Sequence, residues 1–139
     1  MKSRKLGKGT VLIFDTGDEV ISTLTGFAKE HRISSAHFTA IGAFSSATLG
    51  YFDWQKKEYL KNQVDEQVEV VSLIGDIALD EGNPKVHAHV VVGKKDGKAM
   101  GGHLLEARVR PTLELVLEES PEELQRKFDP ESGLALIKV

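Results

Sequence analysis

The stretch VHAHVVVGKKDGKAMGGHLLE, residues 86–106, decides how this chain is read. Residues 86–92 are rich in β-branched side chains and read as a strand. Residues 94–98 (KKDGK) are polar and carry Gly97, the composition of a hairpin loop. Residues 99–109 read as the returning strand, with Gly101 and Gly102 inside it. His87 and His89 lie two apart, so a strand points both to one face. Whether His103 joins them depends on the register of the hairpin. A two-residue turn at Asp96 and Gly97 pairs Lys95 with Lys98 and sets His103 opposite Val90, on the other face. A three-residue loop pairs Lys94 with Lys98, uses glycine at its left-handed third position, and sets His103 across from His89. Facing Cβ atoms would then be about 4.5–5.5 Å apart and diagonal ones about 7–8 Å. A slip of one residue, or a bulge at the paired glycines, breaks the triangle.

Three imidazoles on one face suit a divalent transition metal, zinc above all. Neutral imidazole is a good ligand for such ions, and three of them leave a fourth position for water or substrate. His-x-His also occurs in ordinary solvent-facing strands, so spacing alone leaves the metal and the plain-strand readings both open. Asp76, Glu106 and Glu114 are the acids that could stand near the cluster. His37 reads as a lone strand histidine and His31 as the last turn of a helix. The chain has no Gly-x-Ser-x-Gly elbow, phosphate loop or dinucleotide fingerprint.

Outward from the hairpin, TVLIF (10–14) reads as a buried strand. Thr16 or Asp18 caps a helix whose apolar stripe is Val20, Ile21, Leu24, Phe27 and Ala28, ending near His31. SAHFTAI (35–41) and ATLGYFD (47–53) read as two strands joined by residues 42–46, and WQKKEYLKN (54–62) as a polar hairpin end. QVEVVSLIGDIAL (67–79) is a long strand and DEGNP (80–84) a turn. Pro111 breaks the next run before TLELVLE (112–118) resumes it. Ser120, Pro121 and Glu123 carry a helix-start pattern, so a short helix is expected through Phe128, with LALIKV (134–139) returning to the sheet. The fold class expected is α+β: a mostly antiparallel, strongly bent sheet with one long and one short helix, residues 1–139 forming one domain.

The 139 residues carry 18 Lys and Arg against 21 Asp and Glu, a net charge of −3, and no cysteine. Disulfides, thiolate metal sites and cysteine nucleophiles are thereby excluded. The acidic balance argues against a compact duplex-DNA reader, which is ordinarily basic. The exception is residues 1–9, where Lys2, Arg4, Lys5 and Lys8 form a basic stretch: a solvated start, or a low-affinity contact for nucleic acid if repeated in an oligomer. No apolar run is long enough to cross a membrane and no leader-type core follows the basic start, so a cytoplasmic protein is expected.

The run EVVSLIGDIALDEGNPKVHAHVVVGKKDGKAMGGHLLEARVRPTLELVL (69–117) closely resembles the core of the plant and prokaryote conserved (PPC) domain family. TAIGAFSSATLGYFD (39–53) and GFAKEH (26–31) match it in the same order. The resemblance implies a sheet domain that assembles as a homotrimer. It also implies an association with DNA, since plant members carry AT-hook segments and prokaryotic ones are often described as DNA-binding. This chain has no Arg-Gly-Arg-Pro hook. The fold further resembles acetolactate decarboxylase, which holds zinc with a His-x-His pair and a third histidine. Carried over, the ligands are His87, His89 and His103. Whether such a site catalyses or only binds does not follow from either resemblance.

Overall fold

Two long strands organise the molecule, and both run through residues whose local sequence argues for a break. The computed structural model describes residues 1–139. In chain order the elements are β1 (Lys2–Leu6), β2 (Gly9–Phe14), α1 (Val20–Glu30), β3 (Ser35–Asp53), β4 (Glu58–Val64), β5 (Val68–Asp80), β6 (Asn83–Gly93), β7 (Ala99–Glu119), β8 (Gln125–Asp129) and β9 (Leu134–Lys138). All nine strands belong to one sheet of order β1-β2-β7-β3-β5-β8-β9, with β4 on β3 and β6 on both β5 and β7. The pairings are antiparallel except for a single parallel bridge between β5 and β8. Because β6 joins β5 to β7, and β3 also joins them, the four strands close a circuit of ladders that curls the sheet.

Residues 42–46 are therefore no connection between two strands. They are the bent middle of β3, where the register shifts against both β5 and β7. A Cβ at Gly42 would run into the Thr112 carbonyl and the Leu113 backbone, so glycine alone lets the two long strands approach there. Pro111 likewise sits inside β7 without ending it. It lies between Val109 and Leu113, where the ladder to β3 is already interrupted, so its missing N–H costs no regular bond.

The expected short helix after Ser120 is absent. Ser120 Oγ accepts from Glu122 N, but the chain then extends into β8. Five antiparallel pairs with β9 and a bond from Leu79 N to Leu124 O engage residues that a local cap could only have started on a helix. The basic start is also more ordered than expected: β1 pairs with β2 from Lys2 to Leu6.

The buried core gathers alternate positions of the strands, including Leu12, Phe14, Phe38, Phe44, Leu73, Val90, Leu113, Leu115 and Leu117. Helix α1 adds Val20, Leu24, Phe27 and Ala28. Its cap is Glu19, not Thr16 or Asp18. The Glu19 carboxylate accepts from Ile21 N (3.1 Å), Ser22 N (2.6 Å) and, across to β7, Ala107 N (3.3 Å). Burial pushes this carboxyl up, but the hydrogen bonds from Ser22, Ile21 and Ala107 outweigh it and hold it below the usual range. One side chain thus caps the helix and ties it to the sheet. Glu19→Ala should cost about 1–2 kcal/mol in chemical denaturation at neutral pH. Because the folded group is the stronger acid, its contribution is present above about pH 4.5 and is lost as the pH falls, so wild type and variant should converge in acid.

Candidate metal centre

The hairpin adopts the three-residue loop. Lys94 N donates to Lys98 O at 2.8 Å, Gly97 N to Lys94 O at 2.9 Å, and Gly97 has φ 82°. The ladder then pairs Gly93 with Ala99 and His89 with His103. His87, two residues along β6, falls on the same face. One ligand nitrogen from each of His87, His89 and His103 lies within 4.8 Å of the others. Ring centroids are 5.1 Å apart for His87–His89 and His87–His103, and 5.5 Å for His89–His103.

The three rings differ in surroundings. His89 is exposed, while His87 and His103 are half-buried. Tyr59 of β4 stacks on His103 with centroids 4.6 Å apart. Gly50 leaves room for this, since a Cβ there would meet the Tyr59 ring at 2.7 Å. Burial, then the neighbouring His87 and His89, push the His103 imidazole down to about 4. Burial and His87 lower His89 as well. His103 and His89 are thus held neutral near pH 7, the form that binds metal. His103 Nδ1 is buried with no hydrogen-bond partner, an orphaned nitrogen of the kind a cation would satisfy. By residue type and spacing, the triad can hold a divalent ion.

Behind His87 stands Asp76 of β5, its Oδ2 3.6 Å from His87 Nδ1. The other carboxylate oxygen is paired with Arg126 of β8. Burial would raise the Asp76 carboxyl, but His87 and the Arg126 guanidinium hold it below the usual range, so it stays ionised beside the triad. Of the three acids named from sequence, only Asp76 belongs here. Glu106 lines a separate cleft with Ser46, Thr48, Gln63 and Asp65, and Glu114 pairs across strands with Ile13 and Ile41. His37 faces Asp76 across β3 and β5, and lines with His87 and His89 a cleft of about 420 Å³. His31 is the C-cap of α1, its ring against Phe27, as its position suggested. Tyr59 and Arg126 were not legible as neighbours of the triad; nothing in their local sequence distinguishes them.

Lys2, Arg4 and Lys5 lie on the edge strand β1 and Lys8 in the turn after it, all exposed. Lys2 is 3.8 Å from Asp15 and Lys5 3.2 Å from Glu119, so half of this basic set faces acids. They connect through β2 to the C-terminal half of β7, whereas His103 lies in its N-terminal half.

The sequence matches the Plants and Prokaryotes Conserved (PCC) domain over residues 1–121, and the chain belongs to that family. Among solved structures, a metal-containing protein from Archaeoglobus fulgidus is 39% identical, with 97% of this chain and 96% of that one superposed at a TM-score of 0.88. A candidate DNA-binding protein from Bacteroides thetaiotaomicron is 31% identical, covering 99% and 96% at a TM-score of 0.95. Among curated proteins, bifunctional protein GlmU from a Synechococcus strain is 32% identical over 126 residues, which is 88% of this chain but only 19% of that protein. A Staphylococcus aureus protein similar to alpha-acetolactate decarboxylase shares the fold alone, at 12% identity and a TM-score of 0.61, over 87% of this chain and 54% of that one. No helix is long and apolar enough to cross a membrane.

In metal-free protein, an NMR titration should find His103 neutral until the pH approaches about 4. Between about 6.5 and 4 the unfolded chain binds protons that the folded His103 refuses, so metal-free protein should lose stability as the pH falls through that window. Thermal melts at both ends check the sign.

Proposed function

We propose that this protein is a homotrimeric metal-binding protein in which His87, His89 and His103 hold one divalent transition metal ion, zinc, per chain. The observation that carries the reading is the convergence of one imidazole nitrogen from each of three histidines within 4.8 Å. The relative described as metal-containing, 39% identical over nearly the whole chain, supports it. When bound, such an ion acts as a Lewis acid toward an oxygen in the position that three imidazoles leave free. The protein's own groups do the rest. Asp76 stands where it can orient the His87 ring and favour the tautomer whose other nitrogen faces the triad. Tyr59 covers one side of His103 and keeps water from it.

Assembly is supported by the face of the sheet away from α1. Ile41, Val71, Ile74, Val91 and Val116 are 40–60% exposed there, with Ile74 directly beside His89 on the neighbouring strand. An uncovered apolar patch on a sheet is the kind of surface that subunits bury. The trimer implied by the family resemblance would cover it and place the triad's open cleft near a subunit boundary.

Association with DNA is a second reading, favoured by the description of the Bacteroides relative and by the exposed Arg4 and Lys8. The salt dependence of duplex binding separates it from the first.

Protein purified without a histidine tag should contain about one zinc per chain by elemental analysis, a count set by the three-ligand site. The triple variant H87A/H89A/H103A should fall to background with its fold retained. Unchanged metal content in that variant overturns the assignment. Sedimentation velocity should show a trimer for wild type and a monomer for Ile74→Glu; a monomeric wild type removes the assembly from the reading.

A further inference from the structure

The family match ends at residue 121, yet the chain beyond it builds a wall of the histidine site. β8 and β9 form a hairpin attached to the sheet at Leu79↔Gln125. Through that attachment Arg126 reaches Asp76, and Leu134, Ala135 and Leu136 come to line a pocket with Tyr59, His87 and His103. The pocket holds about 180 Å³. A dry cavity of about 150 Å³ accommodates benzene, so the space suits a molecule of about six non-hydrogen atoms.

Arg126 is the unusual group in this wall. The residue is only 9% exposed. One terminal nitrogen is paired with Asp76 and the other donates to Ala135 O at 3.3 Å, but Nε is buried without an acceptor. Nε is closed off from a ligand, but each terminal nitrogen carries a second N–H beyond the bond it makes, and such donors are best satisfied by an anionic acceptor. Most of the other lining is apolar or aromatic. Lys85, the remaining cation, is engaged by Asp80 at 2.6 Å. Arg126 and Asp76 neutralise one another, so a divalent ion on the triad would leave the pocket net positive.

We propose that the pocket under the β8–β9 hairpin is the ligand site of this centre, and that it takes a small carboxylate with a short apolar tail. Arg126 receives the carboxylate beside the triad, and Tyr59 with the β9 side chains packs the tail. The proposal rests on the metal reading for the second attraction on the anion, but the contribution of Arg126 stands on the pocket alone. The hairpin is then the element that selects the ligand.

The test uses butyrate, which has the right size and charge, with butyramide as the neutral isostere. Each is titrated into the full-length protein, cobalt-loaded and metal-free, by calorimetry, with the visible cobalt spectrum followed in the loaded form. Butyrate should perturb the cobalt bands and bind about tenfold more tightly than butyramide. Arg126→Gln should abolish that preference in the metal-free protein and reduce it in the cobalt-loaded one, where the metal still attracts the anion. Leu136→Trp, at a partly exposed position on the pocket wall, should block butyrate by filling the space, and it keeps the test open should the arginine variant not fold. Butyrate binding that survives both variants, equal binding of butyramide, or no butyrate binding to wild type overturns the proposal. If wild type takes up no cobalt, the metal reading fails by itself, and Arg126-dependent binding of butyrate to the metal-free protein still decides the pocket.

Discussion

The pairing of His89 with His103 is the constraint on which the site depends. It is set by a loop of three residues whose last, Gly97, occupies a left-handed conformation open to glycine at little cost. With one residue fewer in the loop, His103 would face the core side of the hairpin, where Val90 and Val92 are buried. The same register places Gly102 against Gly50, where a Cβ would meet the Gly50 carbonyl at 2.7 Å, and so lets β6, β7 and β3 close around the rings. Site and fold share one set of backbone hydrogen bonds.

Closure of the ladders explains why His87 and His103 are half-buried although they sit on strands. β4 folds back over β3 and lays Tyr59 on His103, while β5 sets Asp76 behind His87. Desolvation holds His103 neutral. Asp76 remains charged because His87 and Arg126 together outweigh its burial. A carboxylate fixed behind a ligand histidine is a common arrangement of histidine metal sites, in which the outer acid orients the inner ring.

Two kinds of surface remain uncovered. One is the apolar face bearing Ile41, Ile74 and Val116, continuous with the cleft beside His87 and His89. The other is the basic edge strand, whose Lys2 and Lys5 face acids of the same chain. The first has the character of an interface core, which is depleted of charge. The second has the character of a solvated edge, where lysines protect an exposed strand from unwanted pairing.

The residues determined much by themselves. Alternation along 86–92, the loop at 94–98 and the helical stripe from Val20 to Ala28 specify the hairpin and α1, because those signals are local and periodic. The candidate ligands His87, His89 and His103 follow from the strand period once a loop length is chosen. The sequence could not choose that length, since both turns satisfy local chemistry and only the ladders to β3 and β5 select one. Nor could it show β3 and β7 continuing through Gly42 and Pro111, where neighbouring strands supply what the local chain lacks. The short helix expected after Ser120 is overruled by pairing with β9, a partner nine residues or more away for most of β8. Arg126, Asp76 and Tyr59 meet at the histidines only because the sheet closes on itself, and contacts between residues so distant in sequence leave no periodic trace in the chain.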